Sequence, residues 1–287
     1  MESRHSNIVP NPARSAPRSK RLAPGIPRFF WFIALCAFAQ GSAAQIQTRV
    51  VDIPTRPGVT QRFLYLAPER PRAAVMLYAG GDGGLRIQSG QTINSLGGNF
   101  LVRSRSLFAD MGLAVAVMDA PSDRQNGPHL TAFRQTPQHV EDARAVIAWL
   151  REQTRVPVWL IGTSNGTLSA AHIATQLSRE RGGADGIVLT ATVLVSPSGR
   201  TRPVTKMPLE RIAVPVLLAH HKNDGCVACP FAATEEVMAR LSAAPRKTLL
   251  AFEGGITRGD PCEAMAHHGF NGIEREVVAK IADWISK

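Results

Sequence analysis

Residues 157–171 read Pro-Val-Trp-Leu-Ile-Gly-Thr-Ser-Asn-Gly-Thr-Leu-Ser-Ala-Ala. The apolar run at 158–161 predicts a buried strand and the small residues after Gly166 predict a helix, so Ser164 falls on the turn between them. A serine on such a tight turn has a strained backbone, and glycine two residues to either side leaves room for it. The stretch therefore predicts a nucleophilic serine near a helix N-terminus, where main-chain N–H groups favour negative charge. The alternative is an ordinary Gly-Ser turn.

The rest of the chain alternates short apolar runs with amphipathic segments. Apolar runs typical of buried strands lie at 73–79, 113–118, 187–195, 214–219 and 247–252. Helices are predicted at 100–111, 137–153, 231–243 and 273–285, and an antiparallel strand pair at 46–53 and 62–67. This order predicts an α/β fold, a mostly parallel eight-stranded sheet with helices on both faces, in one domain at residues 45–287. The polar segment at 85–99 is expected to form a loop above the sheet rather than core.

The first 44 residues predict a secretory signal segment. Six basic residues and one acidic residue precede the apolar run at 29–39, and small residues follow at Ser42 and Ala44, a pattern that signal peptidase recognises. We expect cleavage after Ala44 and a periplasmic or secreted protein. The apolar run is too short to span a bilayer as a helix, so no stable membrane span is expected after cleavage, with an uncleaved anchor as the alternative.

The net charge of the chain is +11, and residues 45–287 keep +6 of it, from 27 basic and 21 acidic residues. No cluster of lysine and arginine interleaved with aromatic residues is present in the sequence. We therefore expect a solvated basic surface and no nucleic-acid partner.

Polar or glycine-rich elements follow four of the predicted strands. They are the segment 80–84, Ser164, Asp224 and His268. Ligands of such sheets bind at the carboxyl ends of the strands, so these elements are expected to meet. A serine hydroxyl becomes a strong nucleophile when a base takes its proton, and a carboxylate that fixes the base completes the arrangement.

The order serine, acid, histidine and the motifs that carry it resemble the α/β-hydrolase superfamily, in particular esterase-like and dienelactone-hydrolase-like serine hydrolases. The motifs are Gly-Thr-Ser-Asn-Gly at 162–166, His-His-Lys-Asn-Asp-Gly-Cys-Val at 220–227 and His-His-Gly-Phe at 267–270, and the likeness covers residues 60–287. It implies Ser164 as nucleophile, His268 as base and then acid, and Asp224 as the residue that orients His268. It also implies an oxyanion hole from the N–H groups of Gly81 and Asn165, and no cofactor or metal. This chain has Ala79-Gly80 where relatives often have His-Gly.

Two of these assignments have competitors in the sequence. Asp119 also follows an apolar run and rivals Asp224, and His267 becomes the base if the motif shifts by one residue. The remaining histidines of residues 45–287 are expected in loops or on the surface; they are His129, His139, His172, His220 and His221.

Three cysteines remain after the signal segment. Cys226 and Cys229 follow the proposed acid, and Cys262 lies six residues before the proposed base. Since export implies an oxidising compartment, we expect a disulfide from Cys262 to one of the other two, which would join the acid and base loops. The alternative is a local bridge between Cys226 and Cys229. A single C-x-x-C does not indicate a zinc site.

These expectations converge on an exported serine hydrolase that acts on an ester or related acyl bond of a small molecule. A peptidase or an acyltransferase on the same fold is an alternative, as is a non-catalytic periplasmic binding or assembly protein. The sequence leaves the acyl group, the leaving group and the oligomeric state open.

Overall fold

One sheet of eight strands organises residues 46–199 and 201–287, the part of the chain that a computed structural model describes. The strands are β1 Gln47–Arg56, β2 Val59–Ala67, β3 Ala73–Tyr78, β4 Leu113–Met118, β5 Val158–Thr163, β6 Gly186–Thr190, β7 Val216–His221 and β8 Lys247–Phe252. The helices are α1 Phe100–Arg103, α2 Arg105–Asp110, α3 Pro137–Thr154, α4 Gly166–Gln176, α5 Thr234–Arg240 and α6 Glu274–Ile285. The predicted signal segment, residues 1–44, lies outside the described residues.

The strand order is β1-β2-β4-β3-β5-β6-β7-β8. β1 pairs with β2, and β2 with β4, in antiparallel register, whereas every pair from β4 to β8 is parallel. The predicted eight-stranded, mostly parallel sheet with an antiparallel edge pair is therefore confirmed.

The core lies on both faces of this sheet. All residues of β3, β4, β5, β6 and β7 are buried, which explains why these strands read as continuous apolar runs. One face packs against α3, α4 and α5, and the other packs against α1, α2 and α6. Among the described residues, no helix has the length and apolar character needed to cross a membrane.

Several boundaries differ from the sequence prediction. The run at 187–195 leaves the sheet after Thr190, because Ala191 has a positive φ of 44° and Leu194 and Val195 donate their N–H groups to the Ala228 carbonyl. β7 begins at Val216 and ends at His221, two residues later than expected at each end. The helix predicted at 100–111 is broken into α1 and α2 at Ser104, and α5 is shorter than the predicted 231–243.

The polar segment at 85–99 contributes to the core, contrary to expectation. Leu85 and Ile87 are buried, because the carboxylate of Asp119 accepts hydrogen bonds from the N–H groups of Leu85, Arg86 and Ile87. The carboxylate satisfies the main-chain donors of the loop and lets its two apolar side chains pack inward.

The strand order reverses direction beside β3. The chain leaves β3 through α1 and α2 on one face, whereas it leaves the adjacent β5 through α4 on the other face. The crevice between the carboxyl ends of two such strands is the usual ligand site of an open α/β sheet. The segment 80–84 and Ser164 follow these two strands directly.

Candidate active site

Ser164 lies on the turn between β5 and α4 with a φ of 52°, the left-handed region that a serine rarely adopts. The two flanking glycines are required by close packing. A Cβ on Gly162 would lie 2.3 Å from the Gly166 carbonyl oxygen, and one on Gly166 would lie 2.0 Å from the Tyr78 carbonyl oxygen. The glycines let α4 approach β3 and β5 closely, and this contact holds the serine in its strained conformation.

Asp224 and His268 are in direct contact. His268 Nδ1 lies 2.9 Å from Asp224 Oδ2, and the Asp224 side chain is fully buried. The other carboxylate oxygen accepts the Cys226 N–H at 2.9 Å. Because a carboxylate only accepts, Nδ1 of His268 carries the hydrogen and Nε2 presents a lone pair. This Nε2 is buried and has no hydrogen-bond partner among the described residues.

His220 is a third group at the acid that the sequence analysis did not identify. Its Nε2 lies 2.9 Å from the Cys229 carbonyl oxygen and 3.5 Å from Asp224 Oδ2, and its Nδ1 accepts the Thr192 N–H at 3.4 Å. Desolvation by burial lowers the pKa of His220 and keeps the ring neutral. The neutral ring therefore directs its Nε2–H at the Cys229 carbonyl and toward the Asp224 carboxylate, and helps to hold that carboxylate in place.

Asp119 and His267, the alternative acid and base from the sequence, make different contacts. The Asp119 carboxylate accepts main-chain N–H groups at 85–87 and that of Ala120, which makes it a structural anchor for the polar loop. His267 stacks on His221 at a ring-centroid distance of 4.3 Å, and its Nδ1 contacts the Asn223 carbonyl rather than a carboxylate. The geometry thus favours Asp224 and His268 as the acid and base.

The expectation that the other histidines lie in loops or on the surface is wrong for most of them. His139, His220 and His221 are buried within α3 and β7, whereas His129 lies in a loop, although it is buried there, and His172 is partly exposed. His220 and His221 are buried because β7 continues through them, and His139 because it lies on the inner face of α3.

A cavity of about 450 Å³ joins the candidate residues. Its lining includes Gly80, Gly81, Ser164, Asn165 and His268. The N–H groups of Gly81 and Asn165 donate no hydrogen bond within the described part of the chain, whereas the Asn165 side-chain amide donates to the Gly81 carbonyl at 3.1 Å. Two free N–H donors beside a serine are the arrangement that binds an oxyanion. The assignment of these residues to catalysis remains a prediction.

A disulfide between Cys226 and Cys262 forms part of the cavity wall. It joins the loop after β7 to the loop after β8, as expected for a bridge from Cys262, and Cys229 is left as a buried free thiol. Among the described residues that line the cavity, Glu263 and His268 are the charged or titratable side chains, and none is a lysine or arginine.

Cys226, Cys229 and His268 each place one possible ligand atom within 4.8 Å of the others. They fit a metal poorly in this oxidised form, because the Cys226 sulfur is bonded to Cys262 and burial raises the pKa of the Cys229 thiol. His268 also has one ring nitrogen occupied by Asp224.

Comparison with known proteins supports the fold. No model of a known protein family matches the chain, and no curated protein matches it in sequence. Among solved structures, a cold-adapted esterase from an Arctic intertidal metagenomic library is similar over 84% of this chain and 93% of its own, at 18% identity and a TM-score of 0.56. An esterase of Pyrococcus furiosus is similar over 84% and 91%, at 13% identity and a TM-score of 0.59. A dienelactone hydrolase from Anabaena variabilis ATCC 29413 is similar over 84% and 96%, at 15% identity and a TM-score of 0.57.

The chain therefore has the α/β-hydrolase fold, as the sequence motifs predicted. At these identities the likeness establishes the fold alone, so the activity has to be argued from the residues of the cavity.

Proposed function

We propose that the protein is an exported serine hydrolase that cleaves an ester or a related acyl bond. The observation that carries the proposal is the convergence on one cavity of a serine with a left-handed backbone, a histidine bonded to a buried carboxylate, and two free N–H donors. The esterases among the structural neighbours are consistent with it.

In the proposed reaction, His268 Nε2 takes the proton of the Ser164 hydroxyl while the serine oxygen attacks the carbonyl carbon of the ester. The carbonyl oxygen becomes an oxyanion, which accepts hydrogen bonds from the N–H groups of Gly81 and Asn165. The tetrahedral intermediate then expels the alkoxide, which receives the proton from His268, and an acyl-enzyme remains. His268 next deprotonates a water molecule that attacks the acyl-enzyme, and the departing serine oxygen regains the proton. Asp224 stabilises the imidazolium in both halves.

The cavity favours a small and uncharged acyl group. Its volume of about 450 Å³ lies in the lower half of the range typical of small-molecule sites. A substrate carboxylate would find no lysine or arginine among the described lining residues and would lie near Glu263, so burying it there would be costly. We therefore expect neutral esters to react faster than esters whose acyl part carries a carboxylate.

Labelling with a fluorophosphonate probe tests the catalytic proposal. We expect stoichiometric labelling of the folded protein, none of Ser164→Ala, and unchanged labelling of Ser106→Ala, an exposed serine on α2 outside the cavity lining. A folded protein that is not labelled would indicate a binding protein instead, and equal labelling of Ser164→Ala would refute Ser164 as the nucleophile.

A substrate panel then separates the hydrolase classes. p-Nitrophenyl esters of increasing acyl length, matched neutral and succinyl-type esters, peptide substrates and an added alcohol acceptor should be assayed side by side. Preference for neutral short esters supports the proposal, whereas faster peptide cleavage or transfer to the alcohol favours the peptidase or the acyltransferase.

Export is part of the same proposal. The support is the predicted signal segment at 1–44 and the Cys226–Cys262 disulfide, a bond typical of oxidising compartments. Mass analysis of the protein recovered from a periplasmic or culture fraction should give a chain that begins at Gln45. Full-length protein confined to the cytoplasm would contradict it.

A further inference from the structure

Arg134 is a buried arginine that has no carboxylate partner among the described residues. It is 2% exposed, and no ion pair to it occurs within the described part of the chain. Burial lowers the pKa of its guanidinium to about 10, which still leaves it charged at neutral pH. The negative charge of Asp82 favours the charged guanidinium, yet no hydrogen bond joins the two side chains in the described part of the chain. A buried charge without an ion pair is costly, so its contacts need an explanation.

Main-chain carbonyl groups of the segment after β3 take the place of a carboxylate. Nη2 of Arg134 lies 2.9 Å from the Ala79 oxygen, 3.3 Å from the Gly81 oxygen and 3.5 Å from the Gly80 oxygen. Nη1 donates to the Ser169 hydroxyl on α4 at 3.0 Å. The guanidinium thus joins three consecutive carbonyls to the helix that follows Ser164.

These contacts fix the direction of the N–H groups in the segment. In a planar trans peptide, the carbonyl of one residue and the N–H of the next point to opposite sides. Carbonyls of Ala79 and Gly80 that face Arg134 therefore turn the N–H groups of Gly80 and Gly81 away from it. Both glycines line the cavity, and a Cβ on Gly80 would lie 3.0 Å from the Ser164 Cβ, so the segment packs against the serine.

Among the described residues, the other polar groups beside Arg134 form no ion pair with it. His139 adds no second positive charge, since burial and the Arg134 charge lower its pKa to about 3 and keep it neutral. The Tyr78 hydroxyl, both His139 nitrogens and Nε of Arg134 have no hydrogen-bond partner among the described residues. Asp82 offsets part of the positive charge, which lies behind the glycines in a buried region where a low dielectric strengthens its field.

We propose that Arg134 is a positioning residue for the oxyanion hole. The guanidinium holds the segment 79–81 from behind, so that the Gly81 N–H points at the reacting carbonyl oxygen, and its charge favours the oxyanion that forms there. This inference rests on the proposed hydrolase function.

Kinetics of Arg134→Gln and Arg134→Lys test the proposal. We expect the glutamine variant to lose about 10²-fold in kcat, as when an oxyanion-hole donor is removed, while KM changes less than about threefold. The lysine variant keeps the charge but cannot bridge three carbonyls, so about a tenfold loss is expected. The inhibition constant of an alkylboronic acid, which forms a tetrahedral adduct with serine, should rise in parallel with the loss of kcat.

His139→Phe is the matched control, because it alters the same buried region without a bond to the segment 79–81 and should keep kcat within about threefold. Wild-type kcat in either Arg134 variant, or a loss confined to KM, would overturn the proposal. So would failure of both variants to fold by circular dichroism, since Arg134 would then serve stability alone. Fluorophosphonate labelling of the wild type is scored separately: its absence refutes the hydrolase function itself.

Discussion

His139 should make the fold sensitive to mild acid, and His139→Phe should remove that sensitivity. The ring is 3% exposed, packs edge-to-face against Tyr78 and Phe133, and has no hydrogen-bond partner at either nitrogen within the described residues. Burial, followed by the charge of Arg134, lowers its pKa to about 3. The folded protein therefore resists protonation of a group that the unfolded chain protonates readily.

The sign and size of the effect follow from this difference. An unfolded histidine has a pKa of about 6.5, so below that pH the unfolded chain binds a proton that the folded chain does not, and stability falls as the pH decreases. pH 5 lies about 1.5 units below the pKa of the unfolded histidine. Protonation there stabilises the unfolded state by about 2 kcal/mol, and the free energy of unfolding falls by the same amount. Above pH 7 neither state is protonated, and His139 contributes no pH dependence.

Urea unfolding of the wild type and His139→Phe at pH 7.5 and pH 5.0 measures the effect. Phenylalanine keeps a ring of similar size and does not titrate, whereas His172, His220 and His221, whose pKa values burial also lowers, titrate in both proteins and cancel in the comparison. The wild type should lose about 2 kcal/mol more than the variant between the two pH values. Equal losses in the two proteins, or an NMR titration of His139 near pH 6.5 in the folded state, would refute the reasoning.

Three further predictions concern the site and its supports. Asp224→Asn should lower kcat for a p-nitrophenyl ester by about 10⁴-fold with little change in KM, because an amide does not fix the base in the required tautomer. Cys262→Ser opens a disulfide that spans 36 residues and should lower the free energy of unfolding in urea by up to about 4 kcal/mol, with Cys229→Ser, which breaks no bridge, losing less than half as much. Gly166→Ala places a Cβ 2.0 Å from a carbonyl oxygen and should prevent soluble expression, whereas Gly90→Ala, with open space around it, should stay within about 0.5 kcal/mol of the wild type.

Periodicity predicted the sheet because its central strands are buried on both faces. A strand of this kind must be apolar throughout, so β3, β4 and β5 are recognisable without alignment. The same signal fails beyond Thr190, where the residues stay apolar but leave the sheet at Ala191. Apolar composition reports burial, and it does not distinguish a strand from a buried irregular segment.

Local spacing predicted the serine turn for a comparable reason. Gly162 and Gly166 are required by contacts within a few residues and with one neighbouring strand, so their spacing carries the geometry. Arg134 offers no such signal. Its three carbonyl partners lie 53 to 55 residues away in the chain and Ser169 lies 35 away, and a lone arginine in a loop is typical of a solvated surface.

The sequence prediction ended β7 two residues too early, and this difference affects the site directly. Ending the strand at Ala219 leaves His220 and His221 in a loop, where they have no role, whereas the strand continues through both and buries them. His220 then lies 3.5 Å from Asp224, four residues on, with its other nitrogen bonded to the Thr192 N–H in the segment that left the sheet after β6. The wrongly predicted ends of β6 and β7 therefore belong to one structural feature. Because β6 ends early and β7 ends late, the Thr192 N–H can meet the His220 ring, and that ring can support the carboxylate that orients the base.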